Sequence, residues 1–277
     1  MVISMKKNSE LQAKARWVRQ QILEMSLHAK SGHVTSSFSC AEILVALYHG
    51  GVLRFDPKNP AWAERDIFLM SKGQSGIALY PILADLGFFP VADLKHFADK
   101  GSHISVHIGK DIPGSEIVSG SLGHGLGIGC GFAWAAKVDW LSRLTVCLLG
   151  DGECYEGSVW EAAMFAGHHQ LNNLVAIVDR NEMGVLDFTE CSLKLNPLAE
   201  KFAAFGWRVK EINGHSFEQI FDALADVRSR RYDKPLAIIA NTVKGKGVSF
   251  MENARLWHYR VPDGDMIEVA RKELASE

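Results

Sequence analysis

Short apolar runs along the chain alternate with longer stretches in which apolar residues recur every three to four positions. Two of the runs, 144–149 and 174–178, have the length and continuity of strands buried on both faces. Between them, residues 155–169 carry apolar side chains at helical spacing. This pattern predicts a strand–helix–strand unit, and its crossover sets the carboxyl ends of two parallel strands side by side.

The same alternation continues through the rest of the chain. Further strands are predicted at 66–71, 207–212 and 236–241, and helices at 9–30, 39–48, 75–86, 120–137, 217–228 and from about Met266. The first helix is expected to begin at Ser9, because Ser9 and Gln12 form a capping-box pattern. Strands that alternate with helices predict an α/β fold, a doubly wound and mostly parallel sheet with helices on both faces, in one domain over residues 1–277.

Polar residues follow both central strands where each is predicted to end. Gly150-Asp151-Gly152 follows the first strand and Asn181 the second, thirty positions after Asp151. Ligands of open parallel sheets bind at this edge. An Asp151 carboxylate, an Asn181 amide oxygen and the Met183 backbone carbonyl, completed by two diphosphate oxygens and a water, form the oxygen octahedron that Mg²⁺ prefers. Gly-Asp-Gly alone would indicate only a glycine turn with a capping Asp, and Asn181 makes the pattern more specific.

Composition narrows the class of protein. The chain has 277 residues, 47% of them hydrophobic, and a net charge of −2, so nothing favours a nucleic-acid partner or an anionic membrane. No apolar run reaches transmembrane length, and the N-terminus lacks the apolar core of a signal peptide. The five cysteines are scattered without a C-x-x-C spacing. We therefore expect a cytoplasmic protein without disulfides or a zinc site.

Two glycine-containing stretches precede the central unit. Residues 101–120 are polar and aperiodic, and a loop of that length favours a functional role. The following run, Gly120-Ser-Leu-Gly-His-Gly, invites a dinucleotide-fold interpretation, but no register gives G-x-G-x-x-G and no clear strand precedes it. A nicotinamide-dependent dehydrogenase is therefore disfavoured. A helix N-terminus near 120–123 could still direct N–H groups at a phosphate.

Most of the remaining charged side chains are expected at the surface. Lys244, Lys246, Arg255 and Arg260 have solvated positions as their default interpretation. His215 is interpreted as a structural or surface residue.

Taken together, these motifs resemble the N-terminal, thiamine-diphosphate-binding part of a transketolase, and specifically the smaller subunit of a split transketolase. The resemblance covers nearly the whole chain. It is carried by Ser31-Gly32-His33, the segment 66–73, Gly120-Ser-Leu-Gly-His-Gly, the segment 150–157 with Asp179-Arg180-Asn181, and the segment 242–247 with Trp257-His258.

The resemblance implies thiamine diphosphate and Mg²⁺ as cofactors, with Ca²⁺ or Mn²⁺ as substitutes for the metal. It implies Asp151, Asn181 and the Met183 carbonyl as metal ligands, and His33, His107 and His258 as catalytic residues that face the sugar. The residues that it implies for cofactor binding are His33, Gln74, Gly120, Leu122, Gly152, Glu156, Asn181 and His258. Glu156 would also reach the subunit interface. Gln74 stands where the family usually has His, which favours an altered substrate preference.

The implied reaction transfers a two-carbon ketol unit from a ketose or ketose phosphate to an aldose or aldose phosphate. In single-chain members the glutamate that activates the cofactor lies in a second domain, for which this sequence leaves no length. The resemblance therefore implies a separate C-terminal subunit with the pyrimidine-binding domain, self-association and a heterotetramer. Two alternatives stay open at this point. One is the α-subunit of a 2-oxoacid dehydrogenase, and the other is a non-catalytic partner that has retained the fold.

Overall fold

The computed structural model describes residues 5–109, 111–185, 187–229 and 231–276. Its strands are β1 (Ile67–Met70), β2 (Thr145–Gly150), β3 (Leu174–Arg180), β4 (Arg208–Asn213) and β5 (Leu236–Asn241). They form one sheet in the order β1-β2-β3-β5-β4, and each of these pairings is parallel. The predicted α/β sheet is confirmed.

Helices fill the connections between strands. The α-helices are α1 (Met5–Ala29), α2 (Val34–Phe38), α3 (Ala41–Tyr48), α4 (Leu79–Asp85), α5 (Gly125–Val138), α6 (Gly157–His168), α7 (Thr189–Ser192), α8 (Leu198–Ala204), α9 (Phe217–Leu224) and α10 (Asp265–Ser276). Short 3₁₀ helices span Gly73–Ala78, Val91–His96, Gly152–Tyr155 and Arg255–Trp257. Within the described ranges, no helix is both long and apolar enough to cross a membrane.

Successive residues of each strand pack their side chains into two separate hydrophobic cores. In β2, Val146 and Leu148 join a core with side chains of α1, α3 and α9, whereas Cys147 and Leu149 join a second core with α5, α6 and α8. Side chains of a strand alternate between the faces of a sheet, so this division means that helices cover both faces. The assignment of residues 1–277 to one domain stays a prediction.

Several predicted helix boundaries are wrong. Helix α1 already includes Met5, so Ser9 lies inside it, and its hydroxyl donates to the Lys6 carbonyl at 2.8 Å instead of capping the helix. The helix expected from residue 120 begins at Gly125, because Gly123 has a left-handed φ of 87° that interrupts helical geometry. Helices α2, α7 and α8 were not predicted, because each is too short to show a period.

The strand register aligns the residues that follow each strand. Gly150 of β2 pairs with Asp179 of β3, and Arg180 of β3 pairs with Asn241 of β5. The carboxyl ends of these three central strands therefore lie level with one another.

Candidate active site at the carboxyl edge of the sheet

A cavity of about 370 Å³ opens at the carboxyl edge of the sheet. Many of the predicted site residues line it: Gln74, Leu122, Asp151, Gly152, Asn181, Met183 and His258. They come from the segments that follow β1, β2 and β3, from the glycine loop before α5 and from the chain after β5. The topology thus gathers residues that are up to 184 positions apart (Gln74 and His258) at one edge.

Asp151 is buried at the end of β2 and is surrounded by few compensating donors. One carboxylate oxygen accepts the Gly152 N–H at 2.7 Å, and the other accepts the Glu182 N–H at 2.6 Å and lies 3.3 Å from an Arg180 nitrogen. Burial, together with the nearby Asp179 carboxylate, raises the pKa of Asp151 to about 6. A carboxylate held under these conditions favours a nearby cation.

Asn181 and Met183 place two further oxygens near this carboxylate. The Asn181 side-chain oxygen accepts the Met183 N–H at 3.2 Å. The Met183 carbonyl accepts from the Lys244 ammonium at 3.3 Å, so this carbonyl already faces a cation. In the part of the chain that the structure describes, no group of three or more His, Cys, Asp or Glu side chains is arranged to hold a metal. One carboxylate, one amide and one carbonyl still form an oxygen set that suits a hard cation carrying further ligand oxygens.

A buried ion pair supports the floor of the site, and sequence reasoning missed it. Lys72, which follows β1, pairs with Asp179 at the end of β3. Asp179 also accepts the Ser39 hydroxyl at 2.6 Å and the Thr242 hydroxyl. Burial alone would raise the pKa of Asp179, but the Lys72 ammonium and these hydrogen bonds lower it. Asp179 is therefore a satisfied anion that joins β1, β3 and the segment after β5.

Glu153 is a second residue that the sequence did not single out. Its buried carboxylate accepts the N–H groups of Gly123 at 2.9 Å and Gly150 at 3.0 Å, and also the Ser71 hydroxyl. It thereby fastens the glycine loop before α5 to the ends of β1 and β2. Its position directly after the Gly-Asp-Gly motif was the available signal, but acidic residues are also common in the first turn of an ordinary helix.

Lys244 is buried, so its interpretation as a solvated surface charge is wrong. Its ammonium lies 3.3 Å from the carbonyls of Met183 and Gly184 and 2.8 Å from Nδ1 of His258. Burial lowers the pKa of Lys244 to about 8. Because an ammonium only donates, His258 Nδ1 accepts, and the neutral His258 ring carries its proton on Nε2.

The three predicted catalytic histidines form a group beside the cavity. The His33 ring centroid lies 5.4 Å from that of His258 and 6.3 Å from that of His107. Burial, followed by neighbouring positive groups, lowers the pKa of both His33 and His258 to about 4. Both rings are therefore neutral near pH 7. The polar loop 101–120 supplies His107, and a Cβ added to Gly120 would lie 3.5 Å from the His107 ring.

Glu156 is the predicted cofactor residue that the structure places apart from this cavity. Its side chain is exposed beside Gly123, where a Cβ added to the glycine would approach the Glu156 Cβ to 2.5 Å. His33, His107 and Gly120 also do not line the cavity, but the contact between His33 and His258 joins them to it.

Several buried polar atoms around the cavity have no hydrogen-bond partner within the described ranges of the chain. They include Ser36 Oγ and Gln74 Oε1 in the cavity wall, and His33 Nδ1 and Ser119 Oγ nearby. Buried polar groups are nearly always paired in folded proteins, so a group of unpaired ones at a cavity is typical of a site for a polar ligand. The fold and the site together define an α/β enzyme domain that binds its ligand at the carboxyl edge of a parallel sheet.

Comparison with known proteins identifies the family. Residues 12–277 match the family model described as transketolase, thiamine diphosphate binding domain. An apulose-4-phosphate transketolase subunit from Phocaeicola vulgatus is 40% identical, over 93% of this chain and 91% of that protein. A 6-deoxy-6-sulfo-D-fructose transketolase subunit from Clostridium sp. is 39% identical over 97% of both chains. The chain therefore belongs to the transketolase family, and the predicted resemblance is confirmed.

Solved structures agree with this assignment. The transketolase from Campylobacter jejuni superposes with a TM-score of 0.90 at 32% identity, over 99% of this chain and 43% of that one. Human transketolase is 35% identical over 95% of this chain and 42% of its own length. The chain thus spans nearly all of the relatives that are named as transketolase subunits, but less than half of the longer transketolases.

Proposed function

We propose that this chain is one of the two kinds of subunit in a thiamine-diphosphate- and Mg²⁺-dependent transketolase. It would transfer a two-carbon ketol unit from a ketose or ketose phosphate to an aldose or aldose phosphate. The observation that carries the proposal is that Asp151, Asn181 and Met183 all line the cavity at the sheet edge. Membership of the transketolase family favours this activity over that of a 2-oxoacid dehydrogenase.

The donor set fits the proposed metal and diphosphate. Asp151, Asn181 and the Met183 carbonyl would hold Mg²⁺, and Ca²⁺ or Mn²⁺ would be accepted as other oxygen-seeking cations. Gln74, Leu122 and Gly152, which line the cavity, would contact the cofactor together with His33, beside His258, and Gly120, beside His107. When bound, thiamine diphosphate supplies an electron sink for cleavage of the bond beside the donor carbonyl.

The group of three histidines would bind the sugar and transfer protons to and from it. His258 presents an Nε2 proton because Lys244 occupies its Nδ1, so it can donate to a sugar oxygen. His33 has a neutral ring whose Nδ1 has no partner among the residues that the structure describes, which suits it to accept or donate a hydrogen bond. Together with His107, these groups would orient hydroxyls and move protons between the sugar oxygens.

The site would be completed by a separate C-terminal subunit carrying the pyrimidine-binding domain. Support comes from the relatives of matching length that are named as transketolase subunits, and from two exposed apolar residues in the cavity wall. These are Val185 and Leu193, each with 67% of its surface accessible. A partner that covers this mouth would exclude water from the cofactor. We place the assembly in the cytoplasm, a location supported by five free cysteines.

Self-association would give a heterotetramer of two chains of each kind. The exposed face of α5 and α6 supports this arrangement, because it presents Ile128, Trp134, Val138, Met164 and Phe165 to solvent. Glu156 and the Gly123 loop lie where α6 and α5 begin, so the proposed interface would adjoin the cofactor site.

Reconstitution tests the proposal. The purified chain should bind thiamine diphosphate and Mg²⁺ weakly and show no ketol transfer alone. Mixed with its C-terminal transketolase partner, it should gain both ketol transfer and tight cofactor binding. Rapid turnover by the isolated chain would contradict the split assembly, and turnover of pyruvate with an artificial electron acceptor would favour a 2-oxoacid dehydrogenase. Failure of the mixture to bind the cofactor would favour a non-catalytic role.

A further inference from the structure

A buried series of polar contacts reaches the site from outside the cavity. Arg19 of α1 donates from one nitrogen to both carboxylate oxygens of Glu42 in α3, at 2.7 and 2.6 Å. Glu42 lies 2.9 Å from Nδ1 of His215, in the turn between β4 and α9. His215 Nε2 lies 2.9 Å from the backbone nitrogen of Val243, which precedes Lys244. The series thus joins two helices to the segment that carries the buried lysine.

The contact with Val243 determines the tautomer of the His215 ring. A backbone N–H can only donate, so His215 Nε2 must be the unprotonated acceptor. The neutral ring then carries its proton on Nδ1, where the Glu42 carboxylate accepts it. Burial alone would raise the pKa of Glu42, but the Arg19 guanidinium and His215 lower it, which keeps the acceptor ionised. Each group in the series therefore determines whether the next group donates or accepts the hydrogen bond between them.

The anchored segment is held on both sides of Val243 by the backbone. Thr242 N–H donates to the Arg180 carbonyl and Gly245 N–H donates to the Thr35 carbonyl, each at 3.0 Å. The Val243 N–H instead depends on a side chain. A shift at this point would move the Lys244 ammonium relative to His258 and the Met183 carbonyl.

We propose that Arg19, Glu42 and His215 form a positioning relay that holds Val243 and thereby sets where the Lys244 ammonium meets His258. The proposal rests on the proposed function, because it concerns the same site. His215 does not line the cavity and is a positioning residue. This proposal specifies the structural part of the sequence interpretation of His215 as a structural or surface residue.

The first test uses the full-length chain and needs no activity. In spectra of the chain with ¹⁵N-labelled histidine, the His215 signals are those lost in His215→Gln. We expect an unprotonated Nε2 and a protonated Nδ1. We also expect the His258 Nδ1 signal to move in His215→Phe, which removes the acceptor, and to stay in place in His96→Gln. His96 is a suitable control because its side chain is 69% exposed.

The second test measures thiamine diphosphate affinity at saturating Mg²⁺ in the reconstituted complex. His215→Phe should weaken binding about 10-fold, because a shifted Lys244 would also change its contact with the Met183 carbonyl of the proposed metal site, and this is the scale expected when a partly buried N–H loses its acceptor. His215→Gln should restore most of the affinity, because an amide oxygen can accept from Val243. Thermal melts of each variant separate this effect from a loss of fold, since a purely structural residue would lower Tm without changing affinity well below Tm.

Two results would overturn the relay. One is a His215 ring protonated on Nε2. The other is a His215→Phe variant in which neither the His258 signal nor the cofactor affinity changes. If the wild-type complex does not bind thiamine diphosphate at all, the proposed function fails, whereas the ring spectra still decide on the relay.

Discussion

Two buried carboxylates, Asp66 at the amino edge of the sheet and Asp151 at its carboxyl edge, have different surroundings. At the amino edge, Asp66 accepts the N–H groups of Arg54 at 2.7 Å and Leu144 at 2.9 Å, and it also pairs with the guanidiniums of Arg54 and Arg228. At the carboxyl edge, Asp151 accepts two N–H groups, has one long contact with Arg180 and lies near the second carboxylate of Asp179.

This difference in surroundings indicates that Asp66 contributes to the stability of the fold and Asp151 to the binding of a ligand. Asp66 joins three distant segments with donors that the chain itself provides, so its charge is compensated in the folded state. The charge of Asp151 is less well compensated, and its pKa is raised accordingly. Keeping Asp151 ionised near pH 7 therefore lowers the free energy of unfolding. We infer that Asp66 holds the fold together, as Asp179 does at the opposite edge, whereas Asp151 retains an electrostatic preference for a cation.

The largest expected effect is at the carboxyl edge. Asp151→Ala should weaken thiamine diphosphate and Mg²⁺ binding to the reconstituted complex by about 100-fold or more, because it removes the charged ligand of the proposed metal site. The free energy of unfolding of the unliganded chain should change by less than about 1 kcal/mol, since relief of the buried charge is offset by the loss of the acceptor of the Gly152 and Glu182 N–H groups. Calorimetry and urea unfolding measure the two quantities. An unchanged affinity would remove Asp151 from the metal site.

His258→Ala tests the sugar side of the same edge. It should lower kcat/KM for the donor sugar by about 100-fold, the usual scale for a general acid–base group, and leave cofactor affinity nearly unchanged. Steady-state kinetics of the complex, with His96→Ala as the control, would measure this. A collapse of cofactor affinity would mean that His258 belongs to the diphosphate site instead.

At the amino edge, Asp66→Asn should lower the free energy of unfolding by about 2 kcal/mol, because the two guanidiniums and two N–H groups lose their shared anion. This figure lies below that for a fully buried pair, since the arginine side chains are 36–37% exposed. Cofactor affinity should not change at temperatures where the variant is folded. A large loss of affinity with little loss of stability would reverse the proposed division between the edges.

Of the two edges, the carboxyl edge should also make the free energy of unfolding sensitive to acid. The pKa values of His33 and His258 fall from 6.5 to about 4 on folding, so between these values the unfolded chain binds protons that the folded chain does not. The free energy of unfolding should therefore decrease as the pH falls from about 6.5 towards 4, because the two rings outweigh Asp151, whose pKa is raised to about 6 and which contributes in the opposite sense below that pH. Urea unfolding of the double variant His33→Gln/His258→Gln should show a weaker decrease than the wild type or His96→Gln. Equal slopes would rule out these two rings as the source.

The smallest expected effect concerns substrate ranking. Gln74 Oε1 is buried in the cavity wall, where no described residue hydrogen-bonds to it, and Gln74→His replaces this neutral acceptor with a ring that can titrate. The ratio of kcat/KM values between a ketose phosphate and the unphosphorylated ketose should change about 2- to 10-fold, the scale of one hydrogen bond. An unchanged ratio would mean that Gln74 does not determine specificity.

Sequence patterns predicted the strands that position the site better than the buried side chains that stabilise it. The apolar runs of β2 and β3 are unambiguous because both strands are buried on each face, and their ends locate Asp151 and Asn181. Lys72 and Lys244 were missed because a charged residue is usually solvated, and the groups that compensate these two lie 107 and 61 positions away, at Asp179 and the Met183 carbonyl. His215 was interpreted only as a structural or surface residue, since Glu42, which it contacts, is 173 positions from it.

The alternation of strand residues between two cores has a consequence for how such chains can diverge. Removing one residue from β2 would exchange Val146 and Leu148 with Cys147 and Leu149 between the two cores, and it would also shift Asp151 relative to Asp179. An insertion in the turn between α6 and β3 would leave both the register and the site intact. Gaps between related sequences should therefore collect in that turn and be absent from the strands, and the spacing of thirty between Asp151 and Asn181 can vary only through the crossover.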